Sequence, residues 1–318
     1  MRRRIALLLL VFACALTPIM LASARQQDPP PKQDPQKTEN ATDTVKFETN
    51  LVVLNVAVTD PSDKHVSGLK EKDFSIFEDK KRQEIVDFIS ADRPFSVVIL
   101  LDTSLSMENK LTLARAACAK FVEELREGDT FAIYSFGGFK VKTHQEFTEI
   151  HDVPDSVWDM KVDGETPLYD AIAKAADALA ERPERRRAIM VVSDGADTRS
   201  KATLDQALRK TLDAQASIYA VDLTNMTVYG TGQKEPGADV LKDMAAKTGG
   251  RFFNVAGGGK LRDAFTQTVE ELRLQYTLTY QSSNEKYDGK WRAVEVQVTK
   301  PLAKVRSRQG YYGRKEKK

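Results

Sequence analysis

One apolar run limits the folds open to this chain more than any other feature of its sequence. Residues 97–101 read Val-Val-Ile-Leu-Leu and lead directly into Asp102. A continuous apolar run that is β-branched at its start is typical of a strand buried on both faces of a parallel sheet. Open α/β sheets place their ligand sites at the carboxyl ends of such strands. The sequence therefore predicts that Asp102 lies at a ligand site.

Two serines follow the aspartate at alternate positions. Ser104 and Ser106 complete an Asp-x-Ser-x-Ser set on one predicted loop. One carboxylate and two hydroxyls are oxygen ligands, which suit a hard cation such as Mg²⁺. The same loop is also compatible with a simpler role, in which Asp102 and Ser104 cap the following helix.

From residue 95 onward, predicted strands and helices alternate. The strands are expected at residues 95–102, 130–136, 140–147, 187–193, 217–221 and 250–254, and the helices at 110–125, 168–180, 203–214, 238–247 and 260–274. This alternation predicts a doubly wound, mostly parallel sheet of the α/β class. The glycine triplet 257–259 before the last helix is interpreted as a flexible connection rather than a phosphate cradle.

Short predicted strands flank this α/β block. They lie at residues 51–59, 74–78 and 85–88 before it, and at 275–280, 291–298 and 305–312 after it. Neither group is large enough for an independent domain of ordinary size. We therefore expect one β-sandwich built from residues 45–93 and 274–313. The α/β domain, residues 94–273, would be inserted into it.

The N-terminus has the pattern of a secretory signal peptide. Three arginines, an apolar stretch over residues 5–21 and the small residues Ala22-Ser23-Ala24 predict cleavage after residue 24. The mature protein is then expected to be exported, to the periplasm or outside the cell, without a membrane span. An uncleaved anchor is the alternative, although Pro18 interrupts the apolar stretch. Residues 25–44 are polar and rich in proline, which is typical of a disordered linker.

Charge and cysteine content narrow the function classes. The formal net charge is +2, and no block of basic and aromatic residues occurs, so nucleic-acid binding is not favoured. Residues 314–318 are interpreted as a solvated basic tail. Of the two cysteines, Cys14 falls in the signal segment and Cys118 on the apolar face of a predicted helix. A buried thiol is expected, with no disulfide framework.

Two more oxygen-bearing residues occur at predicted strand and helix ends. Thr166 lies just before Pro167 and the predicted helix at residues 168–180. Asp194 directly follows the predicted buried strand at residues 187–193. With Asp102, Ser104 and Ser106, they resemble the metal-ion-dependent adhesion site of the von Willebrand factor A, or integrin I-like, family. In that family the order is Asp-x-Ser-x-Ser, then Thr, then Asp, and all five positions are matched here.

The resemblance implies a role for each of the five residues. Ser104, Ser106 and Thr166 would supply neutral oxygens to Mg²⁺ or Mn²⁺. Asp102 and Asp194 would accept hydrogen bonds from water on the metal. One position would stay open for an Asp or Glu carboxylate of a protein partner, which would complete an oxygen shell.

The resemblance covers about residues 94–273, and the whole chain also resembles bacterial secreted proteins in which β segments flank such a domain. Two positions depart from the family pattern. Leu105 stands between the serines where glycine is frequent, and Glu165 stands before Thr166 where glycine is usual. We expect Glu165 to point outward.

These features favour non-catalytic, metal-dependent protein binding. One alternative is a structural module of the cell envelope with a vestigial metal site. A metal-dependent hydrolase is less favoured, because a serine nucleophile needs a histidine base. The three histidines, His65, His144 and His151, fall in predicted loops or edge strands.

Overall fold

The structure is a computed structural model that describes residues 51–90, 92–193, 197–224 and 236–315. The predicted signal peptide, the predicted linker and Asp194 lie outside this part, as do the last three residues of the predicted basic tail. No helix of the described ranges is long and apolar enough to cross a membrane.

Strands and helices follow one another largely as the sequence predicts. The strands are β1 (Leu51–Thr59), β2 (Phe74–Glu78), β3 (Lys81–Gln83), β4 (Ile85–Ile89), β5 (Phe95–Asp102), β6 (Thr130–Gly137), β7 (Lys140–Thr148), β8 (Arg186–Ser193), β9 (Ala216–Asp222), β10 (Phe252–Asn254), β11 (Tyr276–Gln281), β12 (Trp291–Val298), β13 (Lys304–Arg306) and β14 (Gly310–Tyr312). The helices are α1 (Leu111–Glu123), α2 (Asp155–Trp158), α3 (Leu168–Ala180), α4 (Leu204–Asp213), α5 (Pro236–Thr248) and α6 (Gly258–Leu274).

A six-stranded sheet forms the centre of the α/β block. Its strand order is β10-β9-β8-β5-β6-β7. Neighbours pair in parallel except for the edge strand β7, which is antiparallel to β6. The chain builds outward from β5 in one direction and then from β8 in the other, so the strand order reverses between β5 and β8. This is where doubly wound sheets form their ligand crevice.

Strand β5 shows why the sheet carries a core on each face. All eight of its residues are buried. Val97, Ile99 and Leu101 pack into the cluster that includes α1 and α6. Val98 and Leu100 pack into the opposite cluster, with α3, α4 and α5. Alternate residues of a strand point to opposite faces, so an uninterrupted apolar run satisfies both cores.

Two four-stranded antiparallel sheets accompany the central sheet. Their orders are β13-β1-β11-β4 and β14-β12-β2-β3. In the first, β1 pairs with β11, and in the second, β2 pairs with β12. Each sheet thus combines strands from both ends of the described chain, and one apolar cluster contains residues of both. The predicted fold class, an α/β sheet with a flanking β-sandwich from both chain ends, is confirmed.

A buried arginine joins the central sheet to the sandwich. Arg186, the first residue of β8, is 1% exposed. Its guanidinium donates to the carbonyls of Ser90 at 3.1 Å and Arg273 at 2.8 Å. Both acceptors lie where the chain passes between the sandwich and the α/β block. Burial lowers the pKa of Arg186 to about 10.

Some local predictions differ from the structure. Asp79 and Lys80 both have positive φ, in a two-residue turn, and a strand that was not predicted, β3, begins directly after it at Lys81. The predicted final strand is two short strands, β13 and β14. Gly258 and Gly259 are the first two residues of α6 and do not form a connection before it. A Cβ on Gly258 would stand 2.9 Å from the Leu113 side chain, so α6 begins in close contact with α1.

The predicted buried thiol is confirmed. Cys118 lies on the core face of α1 and is free. Burial raises its pKa to about 12.

Candidate metal centre

The predicted ligand residues gather at the carboxyl edge of the central sheet. Asp102 ends β5 and Ser193 ends β8, on the two sides of the strand-order reversal. Asp194, the next residue, lies outside the described part of the chain, so its predicted role stays a prediction. The edge is formed by the loops after β5, β6 and β8 and by the segment that enters α3.

The carboxylate of Asp102 is fully buried and fixes the first loop. Its Oδ1 accepts a hydrogen bond from the Ser104 N–H at 2.7 Å. Its Oδ2 accepts one from the Ser193 hydroxyl at 2.5 Å. Hydrogen bonds to a carboxylate are stronger than neutral ones, so Asp102 ties the loop after β5 to the end of β8. Asp102 is therefore better placed to anchor this loop than to bind a metal ion directly.

Ser104 and Ser106 present two hydroxyls side by side. A short 3-10 helix over Leu105–Met107 turns the chain so that their Oγ atoms lie 3.0 Å apart. Ser104 is buried and Ser106 is exposed. Ser104 precedes this helix without a side-chain capping bond, and α1 likewise has none. The capping alternative is therefore not supported for Ser104.

The spacing of these hydroxyls fits an octahedral cation. Oxygens on adjacent vertices around Mg²⁺, at metal–oxygen distances of about 2.1 Å, lie about 3 Å from each other. The Ser104 and Ser106 hydroxyls are hydrogen-bonded to each other at 3.0 Å, a separation that also fits two ligands on adjacent vertices. Among the described residues, no group of three or more His, Cys, Asp or Glu side chains is placed to hold a metal ion. A cation here would depend on hydroxyl oxygens.

Backbone hydrogen bonds attach the Thr166 loop to its neighbours. The N–H of Leu105 donates to the Gly164 carbonyl at 3.1 Å. The Thr166 N–H donates to the Thr198 hydroxyl at 2.9 Å, and the Thr198 N–H donates to the Thr166 carbonyl at 3.0 Å. Thr166 itself is buried. The structure thus brings the loops of Ser104, Ser106 and Thr166 into contact.

The segment after Asp194 is fastened to the start of α3. Asp197 accepts from the Tyr169 N–H, and Ser200 accepts from the Asp170 N–H at 3.0 Å. The Asp170 carboxylate in turn accepts the N–H groups of Lys201 and Ala202. These bonds satisfy N–H groups in the first turn of α3, which the helix itself leaves without partners. No local sequence pattern predicts these bonds, because the two segments are about thirty positions apart.

The turn between β6 and β7 packs against the same loops. A Cβ on Gly137 would stand 2.3 Å from the Thr103 hydroxyl oxygen. Gly138 has φ +59°, and a Cβ there would stand 2.7 Å from the Asp163 carboxylate. Only glycine permits this close approach. The residue that follows, Phe139, is exposed at this turn.

Four side chains form an exposed rim at this edge, which we call the rim: Leu105, Phe139, Glu165 and Arg199. Leu105 is 67% and Phe139 is 72% exposed. The Arg199 guanidinium lies 4.7 Å from the Phe139 ring centre and 3.8 Å from the Glu165 carboxylate. Glu165 is exposed and faces a cation, which offsets its negative charge. Sequence reasoning missed Arg199 and Phe139, because their roles depend on contacts between distant loops.

A neighbouring cavity of about 280 Å³ contains a serine–histidine pair that the sequence did not reveal. The His144 ring bonds the Ser135 hydroxyl at 2.8 Å through Nε2 and the Ser156 hydroxyl at 3.2 Å through Nδ1. Burial lowers the pKa of His144, assisted by Lys142. A hydroxyl thus faces Nδ1 where a Ser-His-Asp triad has a carboxylate. The pair involves neither Ser104 nor Ser106.

Comparison with known protein families finds a match for part of the chain. The profile of the von Willebrand factor type A domain family matches residues 97–196. This segment contains all five predicted site residues. A search of curated proteins found no match.

Three solved structures illustrate the range of similar folds. One is von Willebrand factor type A from Catenulispora acidiphila, with 11% identity over 85% of this chain and 76% of that chain, at a TM-score of 0.47. An aerotolerance-related membrane protein from Bacteroides fragilis has 17% identity over 56% of this chain and 98% of its own, at 0.46. The pilus adhesin SpaC from Lactobacillus rhamnosus GG has 9% identity over 80% of this chain, at 0.47, and this chain spans 49% of its length. At these TM-scores the likenesses carry no argument about function.

Proposed function

Because residues 97–196 match the profile of the von Willebrand factor type A domain family, we propose that the protein binds another protein through a divalent cation at the carboxyl edge of its central sheet. Binding of this kind is non-catalytic. The cation would be Mg²⁺ or Mn²⁺, and the partner would present an Asp or Glu carboxylate.

One observation supports this proposal above the others. The Ser104 and Ser106 hydroxyls lie 3.0 Å apart, beside a buried carboxylate that engages both its own loop and β8. A loop that served only as a connection would not require a buried anion at this place, since burying a charge is costly unless it is well bonded. A nearby cation would further offset the cost of burying the Asp102 carboxylate.

The donor set defines what a bound cation would do. We propose Ser104, Ser106 and Thr166 as ligands, and Asp102 and Asp194 as acceptors for water on the metal. Neutral oxygens leave the cation's charge largely uncompensated, so it attracts an anionic group. The chemistry supplied by the metal is therefore electrostatic capture of a carboxylate.

The rim supports a protein ligand over a small one. Leu105 and Phe139 offer exposed apolar surface at the rim, and Arg199 adds a positive charge beside Phe139. Interfaces combine such apolar and arginine contacts with polar groups around them. We propose that the partner places its carboxylate at the metal and apolar side chains against Leu105 and Phe139.

The proposal also includes export of the mature protein. The arginines and the apolar stretch of residues 1–24 form a signal-peptide pattern. We propose that the mature protein acts in the periplasm or outside the cell, where free divalent cations and protein ligands are both accessible. We also propose that residues 94–273 are the binding domain and that the sandwich carries it.

The test is metal-dependent capture with matched variants. The full mature chain is immobilised as wild type, as Ser106→Ala and as Asp263→Ala, and exposed to envelope and supernatant proteins with Mg²⁺ or with chelator. Ser106 is exposed, so its loss should leave the fold intact, and Asp263 is an exposed acid on α6, away from the described site residues.

We expect a protein that wild type and Asp263→Ala retain in Mg²⁺, that chelator releases, and that Ser106→Ala does not retain. Capture that is equal with and without chelator, or equal in all three chains, would contradict the proposal.

A further inference from the structure

A second cavity, remote in sequence from the candidate metal centre, lies where the C-terminal end of α4 meets the sandwich. Its volume is about 210 Å³. Its lining includes Asp213, Lys286, Arg292, Arg308, Tyr311 and Arg314. The cavity is thus lined by the end of a helix, by β12 and β14, and by the loop before β12.

Arg308 is the most unusual of these residues. It is 8% exposed, and its Nη1 donates to the Leu212 carbonyl at 3.4 Å. Its buried Nε has no hydrogen-bond partner, and no carboxylate forms a salt bridge with it among the described residues. Burial lowers the pKa of Arg308. A guanidinium that only capped α4 would not need to bury a second donor without a partner.

Arg292 presents a similar arrangement from the opposite wall. It is 3% exposed, and its two Nη atoms donate to the carbonyls of Asn284 and Lys286. The Glu78 and Asp288 carboxylates lie 3.8 and 3.5 Å from it. Its Nε, like that of Arg308, is buried without a partner. Arg292 is therefore held rigidly in the wall of the cavity by two carbonyl and two carboxylate partners.

The charge of the lining favours an anion. Four cationic side chains, Lys286, Arg292, Arg308 and Arg314, line the cavity with one carboxyl group, that of Asp213, while the carboxylates of Glu78 and Asp288 lie within 4 Å of Arg292. Burial raises the pKa of Asp213, against the opposing effect of Arg209 and Arg308. The cavity is consequently more positive than its surroundings, and guanidinium groups bind carboxylate and phosphate oxygens in pairs.

We propose that this cavity binds a small molecule through a carboxylate or phosphate group, with the buried guanidinium groups of Arg292 and Arg308 as its principal contacts. The volume suits a small anion rather than a large ligand, since pockets for drug-sized molecules occupy about 300 Å³ or more. The Tyr311 ring, 5.6 Å from the Arg308 guanidinium carbon, provides an apolar wall for the remainder of the molecule.

The test is calorimetric titration of the full mature chain with inorganic phosphate and, separately, with acetate. Both are run with chelator and with ionic strength held constant by chloride, so that the candidate metal centre contributes nothing. The variants are Arg308→Gln and Arg308→Lys. The control is Arg126→Gln, which removes the same charge from an exposed position outside the cavity.

We expect saturable binding of at least one anion by wild type and by Arg126→Gln. Arg308→Gln should weaken it about tenfold or more, as expected when a charged hydrogen-bond donor is lost. Circular dichroism checks folding, and if Arg308→Gln is unfolded, Arg308→Lys decides, since it keeps the charge but lacks Nε. Absence of saturable binding of both anions, or equal affinity in the folded Arg308 variants and wild type, would overturn the proposal. Preference for phosphate or acetate identifies the anion.

Discussion

The Ser193 hydroxyl donates to the Asp102 carboxylate at 2.5 Å, across the place where the strand order of the central sheet reverses. The bond joins the ends of two adjacent parallel strands at the candidate metal centre. Because Asp102 is fully buried, its hydrogen bonds from Ser193 and Ser104 offset the cost of removing its carboxyl group from water.

The first prediction concerns this bond. Ser193→Ala should lower the free energy of unfolding by about 1.5–3 kcal/mol, the range for a hydrogen bond to a charged group. Urea denaturation measures it. Ser75→Ala, at a half-buried serine of β2, is the control and should change stability by about 0.5 kcal/mol or less. Equal effects of the two substitutions would show that the bond to Asp102 is unimportant.

The second prediction concerns the rim. In Arg199→Ala, the Glu165 carboxylate loses its neighbouring cation and should repel an acidic partner. Metal-dependent affinity for the captured partner should fall severalfold, while the double variant Arg199→Ala with Glu165→Gln recovers part of it. Surface plasmon resonance measures the affinity of the wild type, of each single variant and of the double variant for the partner. Additive losses, with no recovery in the double variant, would mean that Arg199 does not act by offsetting Glu165.

The third prediction concerns the sandwich core. Glu78 on β2 accepts hydrogen bonds from Tyr280 on β11 at 2.7 Å and from Tyr311 on β14 at 2.9 Å, so it links the two antiparallel sheets. Glu78→Ala also leaves the buried Arg292 without this carboxylate. Stability should fall by about 3–5 kcal/mol in denaturant titration. Glu295→Ala, on an exposed position of β12, should have little effect, and a similar loss there would contradict this account.

The fourth prediction concerns acid sensitivity. Burial lowers the pKa of His144 and of His65 below the ordinary value. Folding therefore favours their neutral forms. Their contribution to the free energy of unfolding is complete above the unfolded-state pKa, and it is lost as the pH falls from that value through the lower pKa of the folded state. Unfolding free energy should decline from about pH 7 to pH 5. The decline should be shallower in His144→Gln, and an unchanged slope would exclude His144 as a source.

Sequence patterns predicted the fold well where one local rule decided the outcome. The apolar run that ends at Asp102 predicted β5 with the bounds that the structure shows. Pro167, followed by a segment with helical apolar periodicity, likewise predicted α3. Strand β3 was missed because the turn at Asp79 and Lys80 has positive φ without the usual glycine.

The candidate site was predictable only in part. Loop positions at strand ends identified Ser104, Ser106 and Thr166 as neighbours. The bond from Ser193, and the contacts of Arg199 with Phe139 and Glu165, arise from packing between segments far apart in sequence. No single-sequence pattern encodes such contacts.

Calorimetric titration of Mg²⁺ tests the central claim most directly. Metal-stripped wild type, Ser106→Ala and the control Ser75→Ala are compared under the same conditions, with Mn²⁺ as a second cation. The account predicts one site in wild type and in Ser75→Ala, and affinity reduced about tenfold or more in Ser106→Ala. Absence of binding of both cations to wild type, or equal affinity in Ser106→Ala, would contradict it.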